Sequence, residues 1–377
     1  MNTSSLSGRR ARWAVPVIGS AALVAAMLFA PSAGAGDRLE VVASGLDNPR
    51  HLSFGPRGDL YVAEAGRGGT GPCITGPEGG TVCFGKSGAI TRVTARGKQS
   101  RVLTGLPSIA GKGTGEEAIG PADVLATSST RLVLTVGLGA DPAVRTAYPA
   151  LSQMGTLREA RIGDKRTTLI ADIARHEARK NPIHEPDSNP VGFIRKGSGF
   201  VVADAGGNTI VEASRKGKVK TLAVFQDQLA VAPPFLGLPP GTQIPAEAVP
   251  TSVAQGPDGA IYVSQLTGFP FEQGSSKIYR VDKRGNVTVY ASGLTNVTDL
   301  AFGHKGVLYA VQLSSEGLLT GPVGSLVRIP KGGGSSHKVI EAGLFAPYGV
   351  AIKGHKAYVT TGSVAPGAGQ VVAISLH

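Results

Sequence analysis

The pattern of apolar and polar positions along the chain consists of short apolar runs separated by turn residues, and it is clearest between residues 249 and 294. Four runs of strand length in this stretch are rich in β-branched and aromatic residues, as strands are. Turn sequences such as Pro257-Asp258-Gly259 and Arg284-Gly285-Asn286 separate them. The stretch therefore predicts a four-stranded antiparallel meander.

The same order of runs and turns recurs five more times, with first strands that begin near Pro49, Pro121, Asn189, Val297 and Pro347. Repeats of this kind, each with four strands, are typical of a β-propeller. The chain is therefore predicted to be an all-β, six-bladed β-propeller of four-stranded antiparallel blades. The predicted blades cover residues 49–106, 121–174, 189–226, 249–294, 296–344 and 347–377, the last with 38–46.

The two ends of the repeat region complement each other. The sixth copy stops after its third strand, and the segment RLEVVASGL at 38–46 resembles the fourth-strand sequence VTVYASGL of the clearest copy. We expect this N-terminal strand to close the last blade, which removes an open sheet edge. Residues 36–377 are then one domain.

The first 35 residues have the pattern of a secretory signal. Arg9, Arg10 and Arg12 precede an apolar stretch at 14–30, and Ala33-Gly34-Ala35 is a small-x-small cleavage pattern. An uncleaved membrane anchor is the alternative, which the interruption by Pro16 and the short apolar length disfavour. The protein is predicted to be secreted, with no transmembrane span in the mature chain.

Composition and charge agree with a turn-rich β protein. The 377 residues include 54 Gly and 25 Pro, and the formal net charge is +12. Removing the predicted signal takes away three of the 38 basic residues and none of the 26 acidic ones, which leaves +9. The basic residues are scattered over turns with few aromatic neighbours, so a solvated surface is favoured over an anionic partner and specific nucleic-acid binding is not expected.

The two cysteines, Cys73 and Cys83, lie close together in a Gly- and Pro-rich segment. In an exported protein such a pair is most simply a disulfide. Half of a metal site is the alternative, and it lacks His or Cys partners nearby.

The long connections fall on one face of the predicted propeller. In a radial meander, the loops from second to third strand and from blade to blade emerge on the same face, and these include 66–87, 107–120, 137–154, 175–188, 226–248 and 266–276. Loops on a rigid scaffold are where sites are usually built, so we place function there. The aromatic residues of these loops, which are candidates for ligand contact, are Tyr148, Phe235, Phe269 and Phe271.

Polar residues at the starts of first strands and the ends of second strands should surround the mouth of the central channel on this face. They are Asn48, His51, Glu64, Asp123, Asn189, Asp204, Asn296 and Asp299. Oxygen ligands such as Asp123, Asn189 and Asp299 suit a hard cation, so Ca²⁺ is a possible cofactor. His51 and Glu64 are the candidates for catalysis, in which His51 paired with either Glu64 or Asp123 would supply acid–base chemistry. Alternatively, these side chains cap turns and have only structural roles.

The segment around His176, Glu177, His184 and Glu185 concentrates imidazoles and carboxylates next to this mouth. Its spacing is not that of a tight metal site. No helix is predicted there, so it is interpreted as a loop that borders the site.

Several sequence segments together resemble the ScyD/ScyE family of exported bacterial proteins. They are YVAEAGRGGTGPCITGPEGGTVCFGKSGAITRV from Tyr61, DSNPVGF from Asp187, VADAGGNTIVE from Val202 and PYGV from Pro347. The cysteine segment is the most specific of these, whereas VADAGGNTI is shared with NHL-type and other six-bladed propellers. The resemblance implies a six-bladed, TolB-like propeller and implies no particular chemistry.

Two functions from different classes are compatible with these residues. The first is a secreted, monomeric binding protein whose long-loop face and channel mouth bind a small molecule, a glycan or an extracellular protein. The second is a calcium-dependent propeller enzyme that resembles lactonases, sugar dehydrogenases or strictosidine-synthase-like proteins. No complete catalytic set is evident, which favours binding.

Overall fold

Six four-stranded antiparallel sheets surround a central axis in the computed structural model, which describes residues 39–164, 166–181 and 186–376. This arrangement confirms the predicted six-bladed β-propeller. The predicted signal segment, 1–35, lies outside the described residues. Within the described ranges, no helix has the length and apolar character needed to cross a membrane.

The strands are short and follow one another around the ring. Numbered along the chain, they are β1 (Leu39–Leu46), β2 (Pro49–Phe54), β3 (Leu60–Glu64), β4 (Cys73–Thr75), β5 (Thr81–Val93), β6 (Gln99–Gly111), β7 (Pro121–Ala126), β8 (Arg131–Val136), β9 (Thr156–Arg161), β10 (Thr168–Asp172), β11 (Pro190–Lys196), β12 (Gly199–Asp204), β13 (Thr209–Ala213), β14 (Val219–Val224), β15 (Gln228–Val231), β16 (Gln243–Ala246), β17 (Pro250–Gln255), β18 (Ile261–Gln265), β19 (Ser276–Val281), β20 (Val287–Leu294), β21 (Val297–Phe302), β22 (Leu308–Gln312), β23 (Val323–Ile329), β24 (Lys338–Phe345), β25 (Val350–Lys353), β26 (Lys356–Thr361) and β27 (Gly369–Ser375). Between them, the described residues form two helices, α1 (Val144–Ala147) and α2 (Ile173–Lys180), and four 3₁₀ turns at Pro149–Leu151, Pro234–Leu236, His304–Gly306 and Leu318–Thr320.

The blades use these strands in chain order. Blade 1 contains β2, β3, β5 and β6, and the following blades contain β7–β10, β11–β14, β17–β20, β21–β24 and, in blade 6, β25–β27 with β1. Turns between first and second strands and between third and fourth strands are short and define the short-turn face. Connections between second and third strands and between blades define the long-loop face.

The position of a strand in its blade explains its sequence. The second strands β3, β12, β18 and β22 lie between neighbouring blades, and nearly every residue in them is buried. They are accordingly apolar on both faces, as strands covered on both sides are. The fourth strands β1 and β20 lie at the rim, and most of their residues are exposed or half-buried. The hydrophobic core is therefore a ring, with an apolar cluster at each of the six interfaces between blades.

Blade 6 is closed by the N-terminal strand, as predicted. Strand β1 pairs antiparallel with β27, with Leu39 opposite Ile374 and Leu46 opposite Gly369. Ala43 and Leu46 are buried in a cluster that also contains Leu52 of blade 1. The closing strand therefore contacts both the last blade and the first.

Blade 1 differs from the other blades because its long-loop side is built of strands. The segment 66–87, predicted as a loop, contains β4 and the start of β5, and β6 continues to Gly111. Cys73 and Cys83 are directly opposite each other in the β4–β5 pair and form the predicted disulfide. This bond holds a small hairpin against the extended edge of blade 1.

The segment after blade 2 contains a helix that the sequence pattern did not predict. Helix α2 begins after Asp172, whose side chain accepts a hydrogen bond from the Arg175 backbone N–H at 2.9 Å. An Asp at this position is a favourable N-cap. The prediction of a plain loop at 175–188 is therefore wrong for residues up to Lys180, while His184 and Glu185 lie outside the described residues.

A left-handed backbone conformation recurs just before the first strands of four blades. The residues and their φ angles are Asn48 (48°), Val249 (49°), Asn296 (44°) and Ala346 (43°). Asn tolerates this conformation, whereas for a β-branched residue it is strained. Val249 therefore holds a strained backbone at a position where two sister blades use Asn.

Replacing Val249 by Asn is expected to stabilise the protein by about 1 kcal/mol, because Asn adopts the left-handed conformation at lower cost. Urea denaturation of the two proteins measures the change. Val249→Ala is the matched control, since it shortens the side chain and keeps a residue that is unfavourable at positive φ. If the Asn variant were no more stable than the Ala variant, backbone strain at Val249 would be ruled out.

Candidate functional site

His51, Asp123 and Asp299 lie together in the central channel. They come from the first strands of blades 1, 2 and 5, at the same level of the ring. The His51 Nδ1 is 3.8 Å from Asp123 Oδ2, and its Nε2 donates to the Thr298 carbonyl oxygen at 3.3 Å. Burial by itself lowers the pKa of His51, but the Asp299 and Asp123 carboxylates outweigh it and raise the pKa above the usual range.

Both carboxylates of this cluster bind backbone amides of the next blade. Asp123 accepts from the Phe193 N–H at 2.9 Å, and Asp299 accepts from the Val350 N–H at 2.7 Å. Asp299 also accepts from the Ser252 hydroxyl at 2.6 Å. Hydrogen bonds from buried donors to a carboxylate are strong, so the two residues fasten adjacent blades together.

Glycines at the same level make room for His51. A Cβ at Gly192 would lie 3.0 Å from His51 Cε1 and 2.8 Å from Ser252 Cα, and a Cβ at Gly349 would lie 2.8 Å from His51 Cα. The Tyr348 ring packs against the imidazole, with 5.3 Å between ring centroids. His51 thus fills the channel at this level.

The open part of the channel extends toward the short-turn face. A cavity of about 330 Å³ runs from the level of His51, Asp123 and Asp299 toward the ends of the first strands, where exposed Arg195 and Gln255 border it. The sequence pattern predicted these three residues at a mouth on the long-loop face. They lie instead at the inner end of a cavity that extends the opposite way, because the first strands run from the long-loop face to the short-turn face.

The donor set of Asp123, Asn189 and Asp299 does not fit the proposed calcium ion. The carboxylate oxygens of both Asp residues accept N–H hydrogen bonds, and the imidazole of His51 lies against them. The Asn189 side-chain oxygen accepts from the Leu138 N–H at 3.2 Å. In the described part of the chain, no group of three or more His, Cys, Asp or Glu residues could hold a metal ion.

The asparagines at the starts of the first strands connect loops of the long-loop face. Asn48 donates to the carbonyl oxygens of Gly66 and Gly115 at 2.7 and 2.9 Å, and Asn296 donates to that of Leu266 at 3.0 Å. Asx side chains commonly satisfy backbone groups in this way. The alternative that these side chains have structural roles therefore accounts for the hydrogen bonds of Asn48 and Asn296.

Glu64 and Asp204 occupy equivalent positions at the ends of second strands and are both fully buried. Glu64 accepts from Arg101 Nη2 at 2.6 Å, from the Thr91 hydroxyl at 2.6 Å and from the Asp47 N–H at 2.8 Å. It does not line the cavity that His51 borders. Of the two predicted acid–base partners of His51, Glu64 therefore does not lie beside it, whereas Asp123 does.

Among the described residues, no cation forms an ion pair with Asp204. It accepts from the Ser188 hydroxyl at 2.9 Å and from the Asn189 N–H at 2.5 Å. Burial, aided by the nearby Glu177 carboxylate, raises the pKa of Asp204 to about 8. Asp204 is thus protonated in the folded protein near neutral pH.

Residues of helix α2 have structural contacts as well. His176 Nε2 is 2.9 Å from the Thr221 hydroxyl, and the Glu177 carboxylate is buried close to the backbone of Gly207. Burial raises the pKa of Glu177. The helix packs its buried side on blades 2 and 3, with Ala174 in the apolar cluster of Leu138 and Met154 and Ile173 in the cluster between the two blades.

The most prominent feature of the long-loop face is an apolar ridge over blades 3 to 5. It consists of Leu229, Val231, Phe235, Phe269, Phe271 and Leu319. Leu229, Val231, Phe235 and Leu319 are 65%, 48%, 51% and 49% exposed, and the two remaining Phe residues are half-buried. Single exposed apolar residues are ordinary, whereas a group of them marks a binding surface.

The ridge begins on a hairpin inserted between blades 3 and 4. Strands β15 and β16 pair with Leu229 opposite Pro245 and Val231 opposite Gln243. Ala230 and Ile244 are buried on the inner face. Because side chains alternate across a strand, Leu229 and Val231 necessarily point away from the propeller.

Neighbouring loops hold the ridge in place. The rings of Phe235 and Phe269 are 6.2 Å apart, and those of Phe269 and Phe271 are 6.3 Å apart. Gln228 Nε2 donates to the Ser275 carbonyl oxygen and Gln273 Nε2 to that of Ser315, both at 3.2 Å. These hydrogen bonds therefore join the hairpin to the blade 4 loop and the blade 4 loop to the blade 5 loop.

The loops that form the ridge carry acidic residues only, although the Lys277 ammonium group at their edge donates to Gln228 Oε1. The three connections that form the ridge, 225–249, 266–275 and 313–322, contain Asp227, Glu247, Glu272 and Glu316 and no Lys or Arg. Sequence reasoning identified Phe235, Phe269 and Phe271 but missed Leu229, Val231 and Leu319. A signal was present, since the segment 226–248 is long, apolar and free of basic residues.

Comparison with known proteins identifies the fold only. No protein-family model matches the sequence, and a search of curated proteins gives no match. Among similar solved structures, a gluconolactonase of Xanthomonas campestris is 11% identical, with 91% of each chain covered and a TM-score of 0.51. A protein of unknown function from Bacteroides thetaiotaomicron is 8% identical, with 89% of this chain and 75% of that chain covered and a TM-score of 0.52. At such identities the likeness shows the propeller fold alone.

Proposed function

We propose that this protein is a binding propeller whose apolar ridge engages a protein partner. The observation that carries the proposal is the cluster of exposed apolar side chains on loops that are fastened to one another and to the blades. An exposed group of Leu, Val and Phe residues is costly in water unless a partner covers it. A pre-formed surface also loses little conformational entropy on binding.

The chemistry of the ridge defines the partner. Its apolar centre suits aliphatic or aromatic side chains, and its rim of Glu272 and Glu316 suits Lys or Arg. Apolar cores with charged rims are usual in protein interfaces. A partner that combines apolar and basic side chains matches both properties, and the acidic rim disfavours an anionic glycan or lipid at this surface.

In this proposal, His51, Asp123 and Asp299 have a structural role rather than a catalytic one. A general base needs an unshared nitrogen lone pair within reach of the substrate. The two ring nitrogens of His51 face Asp123 and the Thr298 carbonyl oxygen, and its raised pKa favours the doubly protonated form. The calcium-dependent enzyme alternative gains no support from this geometry.

A peptide selection tests the proposal while the natural partner is still unidentified. Random peptides displayed on phage are selected on the immobilised wild-type protein, and the peptides recovered are expected to combine apolar residues with Lys or Arg. Phe235→Ser should weaken their binding about ten-fold or more, since an aromatic residue at the centre of an interface contributes strongly. Fluorescence polarisation of labelled peptides measures the affinity.

Val289→Ser is the matched control for this experiment, because Val289 is 55% exposed on the outer strand β20, away from the ridge. Its peptide affinity should equal that of the wild type. Peptides that bind equally well to the wild type and Phe235→Ser, or a selection that recovers no binder dependent on the ridge, would contradict the proposal.

We further propose that the protein acts outside the cell as a monomer and is related to the ScyD/ScyE proteins. The secretory pattern at 1–35, the disulfide between Cys73 and Cys83 and the quoted motifs support this. A disulfide persists in an oxidising compartment. Mass spectrometry of the exported protein should find a chain that begins at Gly36.

A further inference from the structure

The charges of the two faces are of opposite sign. Eleven Lys and Arg residues and four Asp residues lie in the described parts of the turns of the short-turn face, mainly at 94–98, 162–167, 214–218, 282–286, 303–307 and 330–337. On the long-loop face the described connections carry more acidic than basic residues, as the three ridge loops illustrate. The net positive charge of the chain is thus concentrated on the short-turn face, which is the basic face of the propeller.

The cations of the basic face are exposed, and many face solvent without an acidic neighbour. Lys216 and Lys218, in the turn between β13 and β14, form no ion pair with a carboxylate in the described ranges. The same holds for Lys283 and Lys305. The Asp residues of these turns mostly accept hydrogen bonds from other groups and do not pair with these lysines. Asp282, for example, accepts from the N–H groups of Arg284 and Asn286 in its own turn.

The distribution of cations on the basic face distinguishes among anionic partners. Its turns contain two to eight residues each, and they include none of the large exposed apolar side chains of the described residues. The cations are spread in two dimensions over blades 1 to 5. A linear polyanion would contact one track of them, whereas a planar anionic surface can contact all of them together.

We propose that the basic face docks on an anionic lipid bilayer. Each Lys or Arg near such a surface strengthens the association, and the effects of several residues in one plane accumulate. Because these cations are exposed, the attraction is screened by salt. In this orientation the apolar ridge lies on the side away from the membrane and stays accessible to a partner.

Vesicle sedimentation tests the inference. The full chain is mixed with vesicles of phosphatidylcholine, with and without phosphatidylglycerol, and pelleted at low salt and at about 0.5 M NaCl. We expect association only with the phosphatidylglycerol vesicles, and its loss at high salt. Lys216→Glu combined with Lys218→Glu should weaken the partition coefficient by about thirty-fold or more.

Lys86→Glu combined with Lys112→Glu is the matched control. Both residues are exposed on the long-loop side of blade 1, so this variant has the same change in net charge on the other face. It should partition like the wild type, and thermal melting checks that both variants fold. Equal weakening by the two double variants, binding to pure phosphatidylcholine, or retention on soluble polyphosphate without vesicle binding would each overturn the proposal.

Discussion

Deleting residues 1–45 is expected to destabilise the entire ring rather than blade 6 alone. The deletion removes all of β1 except Leu46, and with it the ladder to β27 and the buried Ala43 side chain. It also exposes the edge of β27, whose Val371 and Ile374 are buried in the intact ring. Because each blade packs on two neighbours, the loss opens the closed ring at one interface.

The expected loss is at least about 5 kcal/mol, which combines lost apolar burial with unpaired backbone groups at a sheet edge. In a domain of this size it lowers the melting temperature by roughly 10 °C or more. Circular dichroism during heating measures it. Deletion of 1–38 is the matched control, since it leaves β1 intact and should melt like the full chain.

Leu46→Ala tests the same interface with a single substitution. Leu46 is fully buried between the first and last blades, and removing such a side chain costs about 2–5 kcal/mol. The effect should add little to the deletion of 1–45, because both changes disrupt one contact. If the protein lacking residues 1–45 melted at the temperature of the control, β1 would not be needed for closure.

Asp204→Asn is expected to stabilise the protein, and increasingly so as the pH rises. The folded chain keeps a proton on Asp204 up to about pH 8, whereas the unfolded chain releases it near 3.8. Between these values the folded state binds more protons, so the wild-type free energy of unfolding falls with rising pH, by about 1.4 kcal/mol per unit from this group. An Asn at 204 does not titrate and has no such loss.

The amide is also a close substitute for the protonated acid. Its oxygen can accept from the Asn189 N–H, and its NH₂ group can donate to the Ser188 hydroxyl oxygen. Between about pH 5 and about pH 8 the advantage of the variant should grow by about 4 kcal/mol. Urea denaturation at the two pH values measures it. His51 and Asp299 titrate in both proteins, so their effects cancel in the difference, whereas the Glu177 carboxylate is coupled to Asp204 and contributes to that difference.

Glu64→Gln is the control with the opposite expected sign, because Glu64 occupies the equivalent position in blade 1 but accepts from Arg101. Loss of this charge-assisted bond should destabilise the protein by about 1–3 kcal/mol. An Asp204→Asn variant that is less stable than the wild type at about pH 8 would mean that Asp204 is ionised in the folded state.

The blades could be predicted because their signal is local. In each copy, a second strand of apolar residues follows a short turn, and both features depend on residues a few positions apart. The closing strand was predictable for the same reason, since the sequence before blade 1 has the pattern of a fourth strand. Helix α2 was missed because Ile173 is the only large apolar residue among its eight, so the segment shows no apolar position repeated at helical spacing.

The candidate site was only partly predictable. The repeat pattern gave His51, Asp123 and Asp299 equivalent positions in their blades, and in the structure all three line one cavity. The pattern did not show that the carboxylates accept from Phe193 and Val350, which are 70 and 51 residues away in sequence. Without those partners, a carboxylate at the start of a strand has the same sequence pattern whether it binds a cation or a backbone amide.

The amino-acid sequence by itself determined the six blades, their order, the closure of the ring and the pairing of Cys73 with Cys83. These follow from short-range patterns of apolar, turn and cysteine residues, which the local backbone geometry limits to few structures. The tertiary structure alone decided which polar groups are already satisfied, toward which face the channel extends, and that basic turns and apolar loops lie on opposite faces. Net charge and composition do not specify where residues lie in the structure. Only the folded ring brings residues from distant blades into one surface.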